Sequence, residues 1–390
     1  MTGEVTYTNV RLWDGIASEY SEHSSVTVRD GIIQNIGVNR GEVRDYSGLT
    51  CIPGLIDAHV HMTVDPAIPG IEEQLKQSKS EICSKMRDRA KSMVLAGITT
   101  ARDLGGGDWL ELELRDQINK NEVIGPRLLC AGRPITSPKG HCYFWHGECS
   151  SVGAASKLID KNIRKGVDLI KIMATGGVYT KGTDISKSQF SQPDLSSFVN
   201  YANSKGLDVA AHCHGTQGIC FAAYAGVNTI EHCSWRNADF SKGPADLGAV
   251  QHMARENVYV SPTIHSGWEK FKGKDNKNLE QTREIIREMK GLGAVFIAST
   301  DAGIPNVYHN DLPKALPVFA EYADFLPREV LKSATSVSAK ALKMSHRTGS
   351  IRPGLAADLV FVEGDPLEDL RALKNVKLVV ATGQEFLGEN

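Results

Sequence analysis

The sequence predicts an α/β fold, a (β/α)₈ TIM barrel with a small β-sandwich domain that the two ends of the chain form together. Three observations lead to this prediction. The chain has 390 residues, which is enough for one large α/β barrel with additions. Its middle alternates apolar, strand-like segments with segments of helix length. Both ends contain short strand patterns separated by turn residues. We therefore assign residues 51–346 to the barrel and residues 1–50 and 347–390 to the β-sandwich.

Short strand-like patterns occupy both ends of the chain. They lie at residues 5–10, 25–28, 32–36, 358–362 and 376–380. The dipeptide Asp30–Gly31 separates two of them and predicts a tight hairpin turn. Because the two ends have the same alternating texture, we expect them to fold together beside the barrel.

The middle of the chain reads as strands alternating with helices. Residues 74–95 lack glycine and proline and carry many charges, which predicts one long helix. Apolar strand-like segments end near His59, Asp103, Ala131, Lys171, His212, His232, Thr263 and Asp301. Strands that alternate with helices imply parallel βαβ units, and eight such units imply a closed barrel.

Composition excludes several classes of function. The 44 basic and 46 acidic residues give a formal net charge of −2, and the absence of a long basic run argues against nucleic-acid binding. The sequence has no apolar stretch near the length of a membrane span, and its start does not resemble a signal peptide. Eight scattered cysteines suit a reducing compartment. We therefore expect a cytoplasmic protein that acts on a small molecule, without a nucleic-acid or membrane partner.

Histidines and a carboxylate occur where a barrel would place its active site, at the C-terminal ends of the strands. His59 and His61 are two residues apart on one strand, so both side chains point to the same face. His212, His232 and Asp301 end three further strands. Imidazole and carboxylate groups are ligands for Zn²⁺ and similar ions. Any one of these residues alone could be a core or surface group, but together they predict a metal centre.

Lys171 ends the fourth apolar strand, where a charged ammonium group is unfavourable. One interpretation is that the lysine reaches out to a carboxylate such as Asp301 or Asp103. The other is that burial and nearby cations lower its pKa, so that the neutral amine adds to CO₂. The resulting carbamate could bridge two metal ions. With the histidines nearby, we favour the carbamate.

Three segments resemble the metal-dependent amidohydrolase superfamily over essentially the whole chain. They are residues 52–61 (IPGLIDAHVH), 96–103 (AGITTARD) and 352–360 (RPGLAADLV). The resemblance implies two divalent metal ions, with His59 and His61 on the more buried one and His212 and His232 on the more exposed one. A carboxylated Lys171 would bridge the ions, and Asp301 would lie near both. Zinc is the expected metal, although the ligand set also suits Mn²⁺, Co²⁺ or Fe²⁺.

Other motifs are similar to the imidazolonepropionase-related group, which includes Xaa-Pro dipeptidases and ochratoxin-type amidases. They are residues 125–127 (GPR), 171–177 (KIMATGG) and 212–215 (HCHG). Family members often carry Gly-Gly-His after the third strand, and this chain has Lys139–Gly140–His141 there. The resemblance implies that His141 polarises the substrate, although it could also be a loop histidine without a role. We expect His214 to lie behind the ligands rather than among them.

The predicted reaction is the hydrolysis of a C–N amide bond by a hydroxide that bridges the two metal ions. The metal pair would lower the pKa of a water molecule, and Asp301 would accept its proton and pass it to the leaving nitrogen. His141 would stabilise the oxyanion. We expect the substrate to be a dipeptide or N-acyl amino acid with a free carboxylate. Candidate substrate-binding residues on the loops are Arg133, Lys139, Tyr179, Lys181 and His265.

Two alternatives stay open from the sequence. The same site could hydrolyse a lactone, a carbamate or urea, or a cyclic amide, or it could deaminate a heterocycle. A chain of a different class would keep the barrel as a non-catalytic scaffold, but such a chain would be expected to lose metal ligands. We also expect a symmetric homo-oligomer, the commonest state of soluble assemblies.

Overall fold

A computed structural model describes residues 3–271 and 276–388. The strands are β1 Val5–Thr8, β2 Arg11–Leu12, β3 Val26–Arg29, β4 Ile32–Ile36, β5 Glu42–Asp45, β6 Leu49–Pro53, β7 Leu55–Val60, β8 Ile98–Asp103, β9 Arg127–Cys130, β10 Leu169–Met173, β11 Asp208–Cys213, β12 Thr229–His232, β13 Tyr259–Ser261, β14 Leu359–Glu363, β15 Val376–Ala381 and β16 Gln384–Leu387. The helices are α1 Ile71–Gln74, α2 Lys79–Leu95, α3 Leu110–Asn119, α4 Val152–Lys165, α5 Gln192–Ser204, α6 Thr216–Ala225, α7 Leu247–Glu256, α8 Asn276–Gly291, α9 Leu312–Ala323, α10 Pro327–Ser333 and α11 Ser336–Ala341. The fold is therefore a mixed α/β fold.

The two ends of the chain pair with each other, as the sequence predicts. One sheet has the order β4-β3-β1-β5, and the other has the order β16-β15-β14-β6-β2. In the second sheet, β14 from the C-terminal segment lies antiparallel to β6 from the N-terminal segment. Tyr7, Val28 and Phe361 belong to one buried cluster to which both sheets contribute. The predicted turn at Asp30–Gly31 joins β3 to β4, and both of its residues have positive φ, as a tight hairpin requires.

The middle of the chain forms parallel sheets whose strands alternate with helices. β7-β8-β9 form one sheet and β10-β11-β12-β13 form another, and all neighbours in them are parallel. The Ile135 amide, which follows β9, donates to the Lys171 carbonyl of β10 at 2.9 Å and so joins the two sheets. At the other edge of the second sheet, the Ile297 amide donates to the Val260 carbonyl of β13, also at 2.9 Å. The C-terminal ends of seven of the eight predicted strands thus lie at one edge of parallel sheets.

The prediction of a continuous eighth strand ending at Asp301 is wrong. Phe296 forms an isolated bridge to Val260, and Ala302 forms isolated bridges to Val60 and Ile304. The Ala298 amide donates to the carbonyl of Ser333 at the end of α10 rather than to a neighbouring strand. Asp301 has a φ of +63°, which turns the backbone out of an extended conformation. The segment nevertheless reaches β7, because the Asp301 amide donates to the His59 carbonyl at 2.9 Å.

The predicted helix over residues 74–95 is also interrupted near its start. α1 ends at Gln74, whose buried side-chain amide donates to the Asp65 carbonyl at 2.6 Å. α2 begins after Ser78, which forms a capping box with Glu81. The composition of the segment does not reveal that a second helix begins here, because this start depends on one pair of polar side chains. Among the residues that the structure describes, each helix is too short or too polar to traverse a lipid bilayer.

Candidate metal centre

The ends of three strand segments have an unusual backbone. His232, Cys233, Thr263 and Asp301 all have left-handed φ, at 65°, 46°, 53° and 63°. This conformation is uncommon for residues other than glycine, particularly for a β-branched threonine, and such strain of about 1–3 kcal/mol per residue concentrates at functional sites. The ring centroid of His232 lies 5.4 Å from that of His59, which is on β7.

The first group of potential ligands consists of His59, His61 and Asp301. Their donor atoms lie within 4.8 Å of one another, and all three residues lie in or near the core. The two Nε2 atoms are 3.2 Å apart. An Asp301 carboxylate oxygen lies 3.1 Å from Nε2 of His59 and 3.4 Å from Nε2 of His61. Three donors that converge this closely suit a divalent metal ion.

Neighbouring groups fix the orientation of both imidazoles. His59 Nδ1 lies 3.0 Å from a carboxylate oxygen of Glu231, and His61 Nδ1 lies 2.8 Å from the carbonyl oxygen of Gly105. Each Nδ1 must carry the hydrogen in order to donate to these oxygens. The lone pair is then on Nε2, which faces the convergence point, and this arrangement is typical of histidines that bind metals.

Glu231 is itself anchored by a buried arginine. It accepts a hydrogen bond from Arg102 at 2.8 Å and one from the Thr229 hydroxyl at 2.5 Å. Burial would raise the pKa of Glu231, but Arg102 and His59 hold it below its ordinary value. Burial would likewise raise the pKa of Asp301, but the adjacent imidazoles, His59 first, hold it well below its usual range. Both carboxylates therefore keep the negative charge that would stabilise a bound cation.

A second group of potential ligands consists of His212, His214 and His232, whose donor nitrogens also lie within 4.8 Å of one another. His212 Nε2 lies 3.1 Å from the Gly176 carbonyl oxygen, and His232 Nδ1 lies 2.7 Å from the Thr263 hydroxyl. His212 can therefore coordinate a metal ion through Nδ1, and His232 can coordinate one through Nε2. Burial, together with the neighbouring imidazoles, lowers the pKa of each ring well below its usual range, so both are in the neutral form that binds metals.

His214 lies among these rings and not behind them, which differs from the expectation. Its ring stacks on His232 with centroids 4.4 Å apart and planes 19° apart. Its Nδ1 lies 2.8 Å from the Ser234 hydroxyl, which leaves Nε2 for another contact. The spacing of two residues from His212 is the signal that could have predicted this placement, although β11 ends between them at Cys213.

Lys171 is 1% exposed and lies within electrostatic reach of both groups. Burial lowers its pKa, although the negative charges of Glu231 and Asp301 act in the opposite direction. Its positive charge in turn contributes to the lowered pKa values of His212 and His232. The shift is in the direction of the neutral amine, which is the form that can react with CO₂.

His141 lies directly against the second group. Its ring centroid is 4.4 Å from that of His212, and its Nδ1 is buried with no hydrogen-bond partner among the described residues. Burial, with a contribution from Lys171, lowers its pKa to about 3, so the ring is neutral. Gly177 makes this position possible, because a Cβ atom there would lie 2.5 Å from a carbon of the His141 ring.

The five predicted substrate-binding residues have different surroundings in the structure. Tyr179 and His265 both interact electrostatically with Asp301, so they lie near the centre. Lys139 and Lys181 are exposed. The guanidinium group of Arg133 donates twice to the Gly107 carbonyl, at 2.9 and 2.7 Å, and its carbon lies 4.2 Å from the Trp109 ring centroid. Arg133 therefore holds neighbouring loops together.

Three residues that support the centre are absent from the sequence prediction. They are Arg102, Glu231 and Thr263. Arg102 and Glu231 are charged residues inside apolar strands, the same signal that drew attention to Lys171, so the sequence did contain a clue to them. The hydroxyl of Thr263 is identifiable only from its contact with His232, which depends on the left-handed backbone.

Comparisons of the sequence and of the structure with known proteins agree on one family. The sequence model of the amidohydrolase family matches residues 50–385. An ochratoxinase from Aspergillus niger is 23% identical over 402 residues, which cover 92% of this chain and 81% of the relative. An imidazolonepropionase from Thermoplasma volcanium is 20% identical over 378 residues, which cover 90% and 87%. The solved structure of a Xaa-Pro dipeptidase with methionine in its active site has a TM-score of 0.85 at 26% identity, and the match covers 99% of this chain and 100% of the other.

The family match spans most of the chain and includes both groups of potential ligands. The predicted resemblance is therefore confirmed, and the alternative of a non-catalytic scaffold is set aside. The chain belongs to the amidohydrolase family and is a hydrolase that acts on C–N bonds.

Proposed function

We propose that the chain is a binuclear metal-dependent amidohydrolase that releases an amino acid from a dipeptide or an N-acyl amino acid. The observation that carries this proposal is that two groups of potential metal ligands, one with Asp301 and one with His212 and His232, lie within electrostatic reach of buried Lys171. His59 and His61 would hold one divalent ion, and His212 and His232 would hold the other. A carbamate on Lys171 would bridge the two, Asp301 would lie near both, and zinc is the metal that suits the set.

Bound divalent ions would supply Lewis acidity, which lowers the pKa of a water molecule and polarises a carbonyl group. Asp301 is ionised and buried, so it can accept a proton from the attacking water and deliver it to the leaving nitrogen. The water oxygen bonds to the carbonyl carbon, the C–N bond breaks, and the protons of the water end on the amine. His141, held against His212, would stabilise the negative charge on the carbonyl oxygen.

We also propose that the parallel strands close into a (β/α)₈ barrel over residues 51–346. The hydrogen bonds from Asp301 to His59 and from Ile297 to Val260 support this closure. The two sheets of the chain ends, residues 1–50 and 347–390, would form the β-sandwich domain, and their shared buried cluster supports this division.

The substrate class rests on the names of the relatives. The similarity to an ochratoxinase and to a Xaa-Pro dipeptidase supports an amide of an amino acid as the substrate. The imidazolonepropionases favour a second candidate, a cyclic amide. We expect purified protein to hold two divalent ions per chain and to hydrolyse N-acyl amino acids in preference to lactones and aminoheterocycles. Hydrolysis of a cyclic amide alone would contradict the amino-acid assignment.

The Lys171→Ala variant tests the bridging carbamate. We expect it to lose metal and activity, and we expect short carboxylates or bicarbonate to restore part of both. In the unmodified chain, ¹³C-labelled bicarbonate should give a carbamate signal by NMR that the variant lacks. Lys187→Ala is the matched control, because that side chain is 77% exposed. Two bound metals and full turnover in Lys171→Ala would contradict the proposal.

A further inference from the structure

The carboxylate of Asp103, the last residue of β8, connects the end of β7 to the loop that follows β8. Its Oδ2 atom accepts a hydrogen bond from the amide of Met62, the residue after His61, at 2.6 Å. Its Oδ1 atom accepts one from the Gly105 amide at 2.7 Å. Asp103 is fully buried, so water does not compete for either hydrogen bond. One side chain therefore fixes the distance between two segments of the backbone beside the first group of potential ligands.

Gly105 transmits this constraint to the His61 ring. Its amide donates to Asp103, and its carbonyl oxygen accepts the hydrogen of His61 Nδ1 at 2.8 Å. Gly105 has a φ of +109°, and a Cβ atom there would lie 2.4 Å from the carbonyl oxygen of Gly132. The backbone can therefore follow this path only at a glycine. The position of the Gly105 carbonyl determines which nitrogen of His61 keeps its lone pair, and Asp103 holds the loop that carries this carbonyl.

The backbone at His61 and Met62 is held on its other side as well. The His61 carbonyl accepts a hydrogen bond from His309 Nε2 at 3.1 Å. The Met62 carbonyl accepts two from the Arg89 guanidinium group, at 2.8 and 3.1 Å. Met62 is fully buried, so its amide would be a donor without an acceptor if the Asp103 carboxylate were removed. Asp103 thus completes the set of contacts that keeps this turn in place.

A second buried carboxyl group, that of Glu111, lies within electrostatic reach of Asp103. Burial, and then the charge of Asp103, raise the pKa of Glu111 to about 8. Burial also raises the pKa of Asp103, against the effects of His61 and the two amides. The oxygens of Glu111 have no hydrogen-bond partner among the described residues, whereas those of Asp103 accept two amides. Hydrogen bonding therefore places the proton of this pair on Glu111 and leaves the negative charge on Asp103.

We propose that Asp103 is a positioning residue for the metal centre, which sets the orientation and the tautomer of His61 through the amides of Gly105 and Met62. This role rests on the proposed function, in which His61 binds the more buried ion. Asp103 acts through the backbone and not by contact with an ion or a substrate. Glu231 supports His59 directly, whereas Asp103 supports His61 through a carbonyl group that it holds in place.

The Asp103→Asn variant tests this role without a metal. Asparagine keeps the size of the side chain and one accepting oxygen, but its NH₂ group would face the amide of either Met62 or Gly105. NMR of ¹⁵N-histidine-labelled protein should show the Nδ1–H tautomer of His61 in the wild type and a mixture of both tautomers in the variant. His61→Gln identifies the resonances, and circular dichroism verifies that each variant is folded. An unchanged His61 tautomer in folded Asp103→Asn would overturn the inference.

Amide hydrogen exchange tests the same contacts in the wild type, so it does not depend on the folding of a variant. The amides of Met62 and Gly105 should exchange slowly, because each is bonded to a buried carboxylate. Fast exchange of both amides in the metal-loaded chain would contradict the proposed role of Asp103.

Titration with Co²⁺ measures the effect on the metal centre. Asp103→Asn should bind the first Co²⁺ about 10- to 100-fold more weakly and should change its visible absorption spectrum. Asp168→Asn is the matched control, because its carboxylate also accepts a backbone amide, that of Cys130 at 2.8 Å. Asp168 lies immediately before β10, at the end of the strand opposite to the ligands, so its variant should keep the affinity and the spectrum of the wild type. An equal loss in both variants would attribute the effect to general stability and would overturn the inference.

The two proposals fail in different ways. If the wild type binds no Co²⁺ but its His61 tautomer depends on Asp103, the proposed function fails and the positioning role stands. If the wild type binds two Co²⁺ ions and Asp103→Asn changes neither affinity, spectrum nor tautomer, the positioning role fails alone.

Discussion

Replacement of Glu231 by glutamine tests whether the buried Arg102–Glu231–His59 chain positions the metal centre. Glu231 is fully buried and accepts hydrogen bonds from His59 Nδ1 at 3.0 Å, from Arg102 at 2.8 Å and from Thr229 at 2.5 Å. A glutamine side chain keeps one accepting oxygen but places an NH₂ group where the second oxygen was. The NH₂ group of the glutamine would then face a second hydrogen-bond donor, either Arg102 or His59 Nδ1. The positive charge of Arg102 would also lose its neutralising carboxylate.

The expected magnitude follows from these contacts. Removing one partner of a buried ion pair lowers the free energy of unfolding by about 3–5 kcal/mol. Because His59 would lose the group that fixes its tautomer, metal affinity should fall by about 10- to 100-fold. The free energy can be measured by urea unfolding of metal-free protein, and the affinity by competition with a chelator.

A matched control is Glu256→Gln, because Glu256 is exposed at the end of α7 and touches none of these groups. Its unfolding free energy should change by less than about 0.5 kcal/mol. If Glu231→Gln behaved like this control and kept its metal affinity, the buried chain would not position His59, and the reasoning would be refuted.

Three further predictions concern His141, a buried carboxyl group and the metals. Gly177→Ala should displace the His141 ring and lower kcat by about 100- to 1,000-fold while metal content is unchanged. Gly153→Ala in α4 is its control, and equal activity of the two variants would exclude a role for His141. Burial, and then Asp103, raise the pKa of Glu111 from 4.5 to about 8, and neither carboxyl oxygen has a hydrogen-bond partner among the described residues. The unfolded state therefore loses its proton first, and the folded chain loses stability as the pH rises toward 8. Relative to wild type, Glu111→Gln should gain about 4 kcal/mol between pH 5 and pH 9 in urea titrations, and equal pH profiles would contradict the buried acid. Chelation should lower the free energy of unfolding by about 4 kcal/mol for each bound ion whose free concentration had been 1,000 times its dissociation constant, and it should leave that of Lys171→Ala unaffected.

The sequence predicts the parts of this molecule that depend on local patterns. Alternation identifies β14 and β15, and the Asp30–Gly31 dipeptide identifies the hairpin turn. The spacing of His59 and His61 correctly places them together because both lie on one strand, β7. In each case the relevant neighbours are close in sequence or follow a fixed period.

Other features depend on contacts between distant segments, which no local pattern contains. The irregular segment before Asp301 results from a hydrogen bond to Ser333 and a left-handed backbone. Homo-oligomerisation, a cytoplasmic location and zinc as the metal stay predictions, because contacts within one chain do not encode them.

The left-handed backbone at His232 and Asp301 restricts how this centre can change during evolution. Asparagine, aspartate, histidine and glycine adopt this conformation most readily, whereas β-branched and bulky residues adopt it with strain. Two of the proposed ligand positions are therefore limited by the backbone before any metal is considered. A descendant that lost its metals could not simply convert these positions into ordinary apolar strand residues. The geometry would continue to favour short polar side chains there, so such a lineage would retain residues from which a metal site could form again.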